Sequence, residues 1–116
     1  MMTVEIDPAI QAEPALYSSI RRAHEEFNTY FIGRGPTFDS VSAFWKFIPD
    51  QKEKSLVRLE MKDRAEHAAR EFPIDQLWDS RQATTRMTLV LRDLLQNQSR
   101  RLSKELQDMG PVAEGD

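Results

Sequence analysis

Two histidines with neighbouring carboxylates are the residues of this chain whose types could support metal or acid–base chemistry. His24 is followed by Glu25 and Glu26, but no second histidine stands four residues on, so the HExxH pattern of zinc hydrolases is absent. A Glu-x-x-His pair ending at His67 would need an acid at position 64, where the chain has Arg64. We therefore interpret both histidines as surface or boundary residues and predict no metal site.

A glycine-rich loop at residues 33–36, with the sequence GRGP, could bind an anion. It leads towards a predicted helix start, and helix N-termini hold anions with their free backbone N–H groups. Neither a GxGxxG nor a Walker-type Gly-Lys-Ser/Thr pattern is present, and a helix-to-helix turn with positive φ explains both glycines. Because the other carboxylates are scattered, we predict no catalytic residue, no cofactor and no enzymatic activity.

A cation-rich segment near the C-terminus could form a binding surface. Between residues 81 and 104 there are six Arg or Lys residues and one acid, Asp93, in a chain whose formal net charge is −3. The rest of that helix face is Thr, Ser, Gln and Asn, which bond phosphate oxygens without reading a base sequence. A solvated helix face is the favoured interpretation of such a row, and contact with a nucleic-acid backbone is the alternative. The candidate contacts are Arg81, Arg86, Arg92, Ser99, Arg100 and Lys104.

An apolar seam follows the other side of the same segment. After Leu95 the apolar positions narrow to spacings of roughly four and three residues, as in a coiled coil. A seam that continues beyond its own core most simply pairs with a second copy as a symmetric homodimer. A different protein partner is one alternative, and the first helix or the N-terminal arm folding back over the seam is another. The seam residues are Leu91, Leu95, Gln98, Leu102, Leu106 and Met109.

The densest aromatic cluster of the chain lies between residues 38 and 47. Aromatic residues in such clusters are mostly part of the core, but two of these lie off the apolar stripe of the helix predicted there. We interpret the cluster as core, with an exposed patch for a protein partner as the alternative. Its members are Phe38, Phe44, Trp45 and Phe47.

Proline and glycine divide the chain into elements that would position these groups. The last element, capped by Asp75, runs 34 residues without glycine or proline. As a helix it would be about 50 Å long, whereas a compact chain of this size is roughly 35 Å across, so its far end needs a packing partner. Apolar residues recur at helical spacing in the other elements as well. The predicted helices are residues 14–32, 39–48, 50–72 and 75–108.

These elements predict an all-α fold, a helical bundle of about four helices with a long C-terminal helix. We expect residues 1–13 to form an N-terminal arm, residues 14–110 a single helical domain and residues 111–116 a flexible tail. The length of 116 residues suits one domain.

Composition indicates the class of protein. The chain is 40% hydrophobic and 30% charged, which is ordinary for a folded domain. It has no cysteine, which suits a reducing compartment, and neither a secretion leader nor a membrane-spanning apolar run is visible. We expect a cytoplasmic, non-catalytic interaction or regulatory protein that forms a homodimer through its last helix. Nucleic-acid binding by the arginine-bearing face is the alternative function.

Overall fold

In the middle of the chain, buried and exposed side chains alternate along the sequence. The computed structural model describes residues 2–31, 40–49 and 55–109. Strand β1 (Thr3–Ile6) pairs in parallel with β2 (Ser42–Ile48). Strand β2 continues into an antiparallel meander with β3 (Leu56–Lys62) and β4 (His67–Pro73), which gives the order β1-β2-β3-β4. The predicted all-α bundle is therefore wrong, because the fold is a four-stranded mixed sheet with helices. The elements are β1 (Thr3–Ile6), α1 (Pro8–Gln11), α2 (Pro14–Phe31), β2 (Ser42–Ile48), β3 (Leu56–Lys62), β4 (His67–Pro73), a 3-10 turn (Ile74–Gln76) and α3 (Ser80–Met109).

Strand β2 replaces the helix predicted at residues 39–48. The apolar residues of this stretch fit a helical spacing, but those that the fold buries, Val41, Ala43 and Trp45, follow a period of two. The strand is also rich in aromatic side chains, which suit a pleated and half-buried surface. Short apolar runs are compatible with both a helical period and a period of two, and packing against the neighbouring strands favours the sheet here.

Strands β3 and β4 replace the helix predicted at residues 50–72. In β3, apolar residues alternate with charged ones over most of its seven positions, and only the apolar ones are fully buried. The charged residues of β3 lie on its other side, and none of them is fully buried. The buried residues of the two strands are Val57, Leu59, Met61, Ala68 and Phe72.

The two long helices predicted from proline and glycine are confirmed. Helix α2 begins at Pro14 as predicted. Helix α3 is 30 residues long and starts after Asp79 instead of Asp75. The Asp79 Oδ1 accepts from the Gln82 N–H at 2.8 Å, and the Gln82 Oε1 accepts from the Asp79 N–H at 3.4 Å, which is a capping box. The predicted tail, residues 111–116, lies outside the described residues.

Most of the segment predicted as an arm, residues 1–13, belongs to the fold. Strand β1 forms one edge of the sheet, and the Asp7 N–H that follows it donates to the Trp45 carbonyl oxygen at 2.9 Å. Met2, which precedes β1, and Ile10, which follows it, are both buried in the core. The sheet therefore gains its parallel strand from the first residues of the chain.

Both long helices cover the same face of the sheet. The register places Trp45, Leu59 and Arg70 side by side on three neighbouring strands. Trp45 contacts His24 of α2, and Arg70 contacts Asp93 of α3. Because side chains opposite one another in a sheet share a face, the core lies between this face and the two helices, in a two-layer α/β arrangement.

A buried histidine joins the two layers. His24 is 4% exposed, and its Nε2 accepts a hydrogen bond from the Trp45 indole N–H at 2.7 Å. Burial lowers the pKa of His24 from 6.5 to about 4, so the ring is neutral at pH 7. Since Nε2 accepts, the proton of the neutral ring is on Nδ1, which is buried and has no acceptor among the described residues. The interpretation of His24 as a surface or boundary residue is therefore wrong.

We predict that His24 makes the protein less stable below pH 6.5. The unfolded chain takes up a proton near pH 6.5 and the folded protein only near pH 4, so stability is full above pH 6.5 and falls as the pH drops towards 4. The complete shift corresponds to a loss of about 3 kcal/mol in the free energy of unfolding. Urea titrations followed by tryptophan fluorescence, at pH values from about 7.5 down to about 5, measure the first part of this loss, about 2 kcal/mol.

Two variants distinguish the effect of His24 on the pH dependence of stability from the effects of other titratable groups. His24→Gln keeps an acceptor near the Trp45 indole but cannot take up a proton, so its stability should be nearly constant over that pH range. His67→Gln removes the exposed histidine and should show the same loss as the wild type. Parallel pH profiles for the wild type and His24→Gln would contradict the role assigned to His24.

Candidate functional site

The last third of α3 extends beyond the sheet. Every residue from Ser99 to Asp108 is exposed. The helix has 30 residues and is therefore about 45 Å long. The Cα radius of gyration is 17.0 Å and the longest dimension is 60 Å, whereas a compact chain of this length has a radius of gyration of about 13 Å. The expectation that this helix outruns its own core is confirmed.

The turn between β3 and β4 anchors α3 where the helix leaves the sheet. The Asp63 Oδ1 accepts from the N–H groups of Ala65 and Glu66, each at 2.8 Å, and the Asp63 Oδ2 accepts from the Gln98 side chain of α3. Burial acts to raise the pKa of Asp63, but these hydrogen bonds and the charge of Arg101 outweigh it and hold the pKa below its ordinary value. An ionised carboxylate thus joins the turn to the helix at pH 7.

Two further contacts attach α3 to strand β4. The Arg70 guanidinium donates to both carboxylate oxygens of Asp93, at 2.6 and 3.0 Å, and this bidentate pairing lowers the pKa of Asp93. The Asn97 Nδ2 donates to the His67 carbonyl oxygen at 2.9 Å. Because hydrogen bonds are directional, these contacts fix the rotation of α3 about its own axis.

The fixed rotation leaves one apolar stripe of α3 exposed. Leu95, Leu102 and Leu106 are 40%, 52% and 67% exposed, respectively. At about 100° per residue, the three side chains lie within about 40° of one another around the helix. These three residues are termed the leucine stripe. It is a surface of the kind that packs against another helix.

The other predicted seam residues lie in different surroundings. Leu91 is only 5% exposed and belongs to the core. Gln98 is half-buried and bonded to Asp63, and the Met109 side chain lies outside the described part of the structure. The free apolar surface therefore begins at Leu95 and is shorter than the predicted seam.

The residues predicted to contact nucleic acid fall on two exposed sides of α3, with Arg86 as an exception. Arg81, Arg92 and Ser99 are exposed and lie nearly in line along the side of the helix that points away from the fold. These three residues, two arginines and one serine, are termed the cation line. Arg100 and Lys104 are also exposed, and Arg100 borders a groove beside strand β4.

Two other arginines of this segment are engaged within the fold. Arg86 is half-buried, with its guanidinium carbon 5.9 Å from the centroid of the Phe72 ring, and its buried Nε has no acceptor among the described residues. The Arg101 Nε lies 3.4 Å from a Glu66 carboxylate oxygen, and the Arg101 Nη1 lies 3.9 Å from Glu105. Fewer cations are therefore free on α3 than the sequence count indicates.

The predicted aromatic cluster is divided between the two faces of the sheet. Trp45 is buried in the core, and Phe47 is partly buried against it. Phe44 is half-buried on the opposite face, where the Lys62 Nζ lies 4.9 Å from its ring centroid. Phe38 lies outside the described residues. The three described aromatic residues therefore do not form one continuous patch.

Within residues 2–31, 40–49 and 55–109, no three His, Cys, Asp or Glu side chains lie close enough together to hold a metal ion. None of the helices described is both long enough and apolar enough to cross a bilayer.

Comparison with known proteins finds no match among family models, curated proteins or solved structures. The function is therefore inferred from the surfaces of this chain.

We predict that Gln98→Ala loosens the projecting end of α3 and leaves the sheet folded. The variant removes one hydrogen bond of the anchor but keeps the turn around Asp63. Amide hydrogen exchange from residue 98 onward should become severalfold faster, while the free energy of unfolding falls by about 1 kcal/mol. Hydrogen exchange measured by NMR gives the first value and urea titration the second.

Asp63→Ala is the matched comparison. It also removes the acceptor of two turn amides, so the free energy of unfolding should fall further, by about 1–3 kcal/mol. Unchanged amide exchange in Gln98→Ala would show that Gln98 does not anchor the helix.

Proposed function

We propose that this is a non-catalytic interaction protein of the cytoplasm that assembles as a homodimer through the projecting end of α3. The observation that carries the proposal is the leucine stripe, which lies on a helix segment that is not covered by the protein's own core. Leucines spaced seven and four residues apart on one side of a helix are typical of helix pairing. The cysteine-free composition suits a reducing compartment.

A second copy is the partner that the leucine stripe fits best. A twofold axis brings two identical stripes together and closes the interface, so no further subunit is added. Residues 95–108 contain three cations and two acids. Arg101 and Glu105 already lie in ion-pair distance within the helix. Two copies of this segment would therefore meet with little repulsion between like charges.

The size of the surface sets the expected strength of the dimer. Residues 95–108 form a helix segment about 21 Å long, and two such segments make a contact at the small end of specific interfaces. We therefore expect a dissociation constant in the micromolar range, with exchange between monomer and dimer. Such an equilibrium responds to protein concentration, which suits a regulatory role.

We predict that the double variant Leu102→Glu, Leu106→Glu is monomeric where the wild type is dimeric. Two carboxylates in the centre of an apolar contact would lose their hydration and repel each other across the twofold axis. Sedimentation velocity over a concentration series from about 5 to about 500 µM should show the dimer in the wild type and a monomer in the variant.

Ser103→Glu, Gln107→Glu is the matched control. It places the same two charges in the same exposed segment, on a side of the helix that does not carry the leucine stripe. Its association should equal that of the wild type. The proposal fails if the wild type stays monomeric over the whole series, or if both double variants lose association equally.

A second candidate function, binding to a nucleic-acid backbone, rests on the cation line. Arg81 and Arg92 are exposed, and neither forms an ion pair with another residue in the described parts of the chain. The two arginines lie eleven residues apart in α3, which is about 16 Å along the helix axis, and Ser99 lies two turns beyond Arg92. An unpaired cation on a rigid helix is able to replace counterions at a phosphate.

We predict, for this second candidate, that duplex or single-stranded probes bind at about 50 mM salt and much more weakly at about 200 mM salt. Fluorescence anisotropy measures the affinity. Arg81→Glu, Arg92→Glu should abolish binding, whereas Lys46→Glu, Arg58→Glu makes the same change in net charge on the far face of the sheet and should retain most of it. Absence of binding at low salt, or equal loss in the two variants, would exclude the cation line as the contact.

A further inference from the structure

Strand β4 lies at one edge of the sheet, and the hydrogen bonds around it show which of its residues direct their backbone groups outwards. β4 is the last strand of the sheet. The Ile74 N–H donates to the Ser55 carbonyl oxygen at 3.3 Å, and the Glu66 carbonyl oxygen accepts from the Asp63 N–H at 3.0 Å. The even-numbered residues of this segment therefore bond towards β3. Because backbone groups in an antiparallel pair alternate in direction, the odd-numbered residues of β4 bond outwards.

The outward backbone groups of Ala69 and Glu71 are unused within the part of the chain that the structure describes. His67, also odd-numbered, confirms the alternation, because its carbonyl oxygen accepts from the Asn97 side chain and not from β3. The N–H and C=O of Ala69 and Glu71 have no hydrogen-bond partner among the residues that the structure describes. Pro73 has no N–H and ends the usable stretch. The edge thus offers two donors and two acceptors in a row.

A groove runs beside this edge. It has a volume of about 260 Å³ and lies between β4 and α3. Two of its lining residues are alanines, whose small side chains leave room next to the strand backbone. The groove is lined by Ala68, Ala69, Asp93, Gln96, Asn97 and Arg100.

The charges around the groove favour an acidic occupant. The negative charge of the Asp93 carboxylate is balanced by the Arg70 guanidinium, which donates two hydrogen bonds to it. Arg100 is exposed and has no ion-pair partner among the described residues, and Lys104 is exposed one turn further along α3. Against these two cations the outward edge carries one acid, Glu71.

We propose that the edge of β4 is a docking site for an extended acidic peptide segment of a partner protein. The segment adds to the sheet as a fifth strand, bonded to the backbone of Ala69 and Glu71, and places an acidic side chain against Arg100. Strand addition of this kind draws affinity from main-chain hydrogen bonds and specificity from the neighbouring side chains. Arg100 lies about 140° around the helix from the leucine stripe, so peptide and second copy occupy different sides of α3.

The test uses a capped peptide of about five residues with alternating glutamate and valine, titrated into the ¹⁵N-labelled full-length protein at low salt. NMR shifts should concentrate at the amides of Ala69 and Glu71, and exchange of those two amides should slow by about tenfold or more. The peptide with lysine in place of glutamate should bind at least about tenfold more weakly. A copy that is N-methylated at alternate residues keeps its charge but cannot pair with the edge, and should not bind.

Variants of the protein give the complementary result. Ala69→Pro removes an outward N–H and no bond to β3, and should weaken binding by about tenfold or more. Arg100→Glu should weaken binding similarly, while Arg81→Glu makes the same charge change away from the groove and should alter it by less than about twofold. If Ala69→Pro does not fold, the N-methylated peptide tests the same hydrogen bonds.

Three results would overturn the proposal. One is the absence of binding at millimolar peptide, and another is equal binding of the lysine or N-methylated peptide. The third is protection of the Ala69 and Glu71 amides that grows with protein concentration in the absence of peptide, which would assign the edge to a second copy.

Discussion

Helix α3 is about twice as long as the strands of the sheet that it covers. A seven-residue strand such as β3 spans about 23 Å, whereas the 30 residues of α3 span about 45 Å. A helix buries its apolar side only where a core lies beneath it. Met87 and Leu94 are accordingly fully buried, while Leu102 and Leu106, on the same helix, are exposed. This difference in length determines which surface of the protein is available to a partner.

Polar contacts at the rim of the core determine how α3 lies on the sheet. An apolar helix face packed on an apolar sheet face could rotate by some tens of degrees with little change in buried area. The contacts of Asp93, Asn97 and Gln98 with β4 and its preceding turn are directional, so they allow one rotation. The same rotation turns the leucine stripe away from the sheet and places Arg100 beside the edge of β4. The exposed surfaces are thus set by hydrogen bonds that lie outside the apolar core.

The sequence predicts the long helices well because proline, glycine and an unbroken run between them are strong local signals. It does not predict the strands, because their apolar residues are compatible with two periods. In β3 the apolar residues alternate with charges, which indicates a strand, but the neighbouring alanines and charges at i and i+4 favour a helix equally well. The turn at Asp63, an aspartate whose side chain bonds the amides that follow it, is the local signal that would have separated the two.

In the candidate site, too, some features follow from the helix alone and others depend on the tertiary structure. Leu102 and Leu106 are predictable from the helix alone, because nothing in the described fold reaches them. The burial of Leu91 depends on the sheet beneath it, and the engagement of Gln98 depends on the turn before β4, so neither follows from a helical pattern. The edge of β4 cannot be predicted unless the strands themselves are predicted. What the sequence supplies is therefore the part of the surface that is independent of the tertiary structure.

The two proposed surfaces are linked by the segment that anchors α3. The peptide site lies against Asp93 and Asn97, and the leucine stripe begins at Leu95, within the same turns of the helix. A peptide bound along β4 would hold these turns in place and reduce fraying of the exposed segment that follows. Since dimerisation must order that segment, an already ordered helix has less conformational entropy left to lose. Occupation of the edge would therefore favour pairing of the leucine stripe, and by reciprocity the dimer would bind the peptide more tightly than the monomer does.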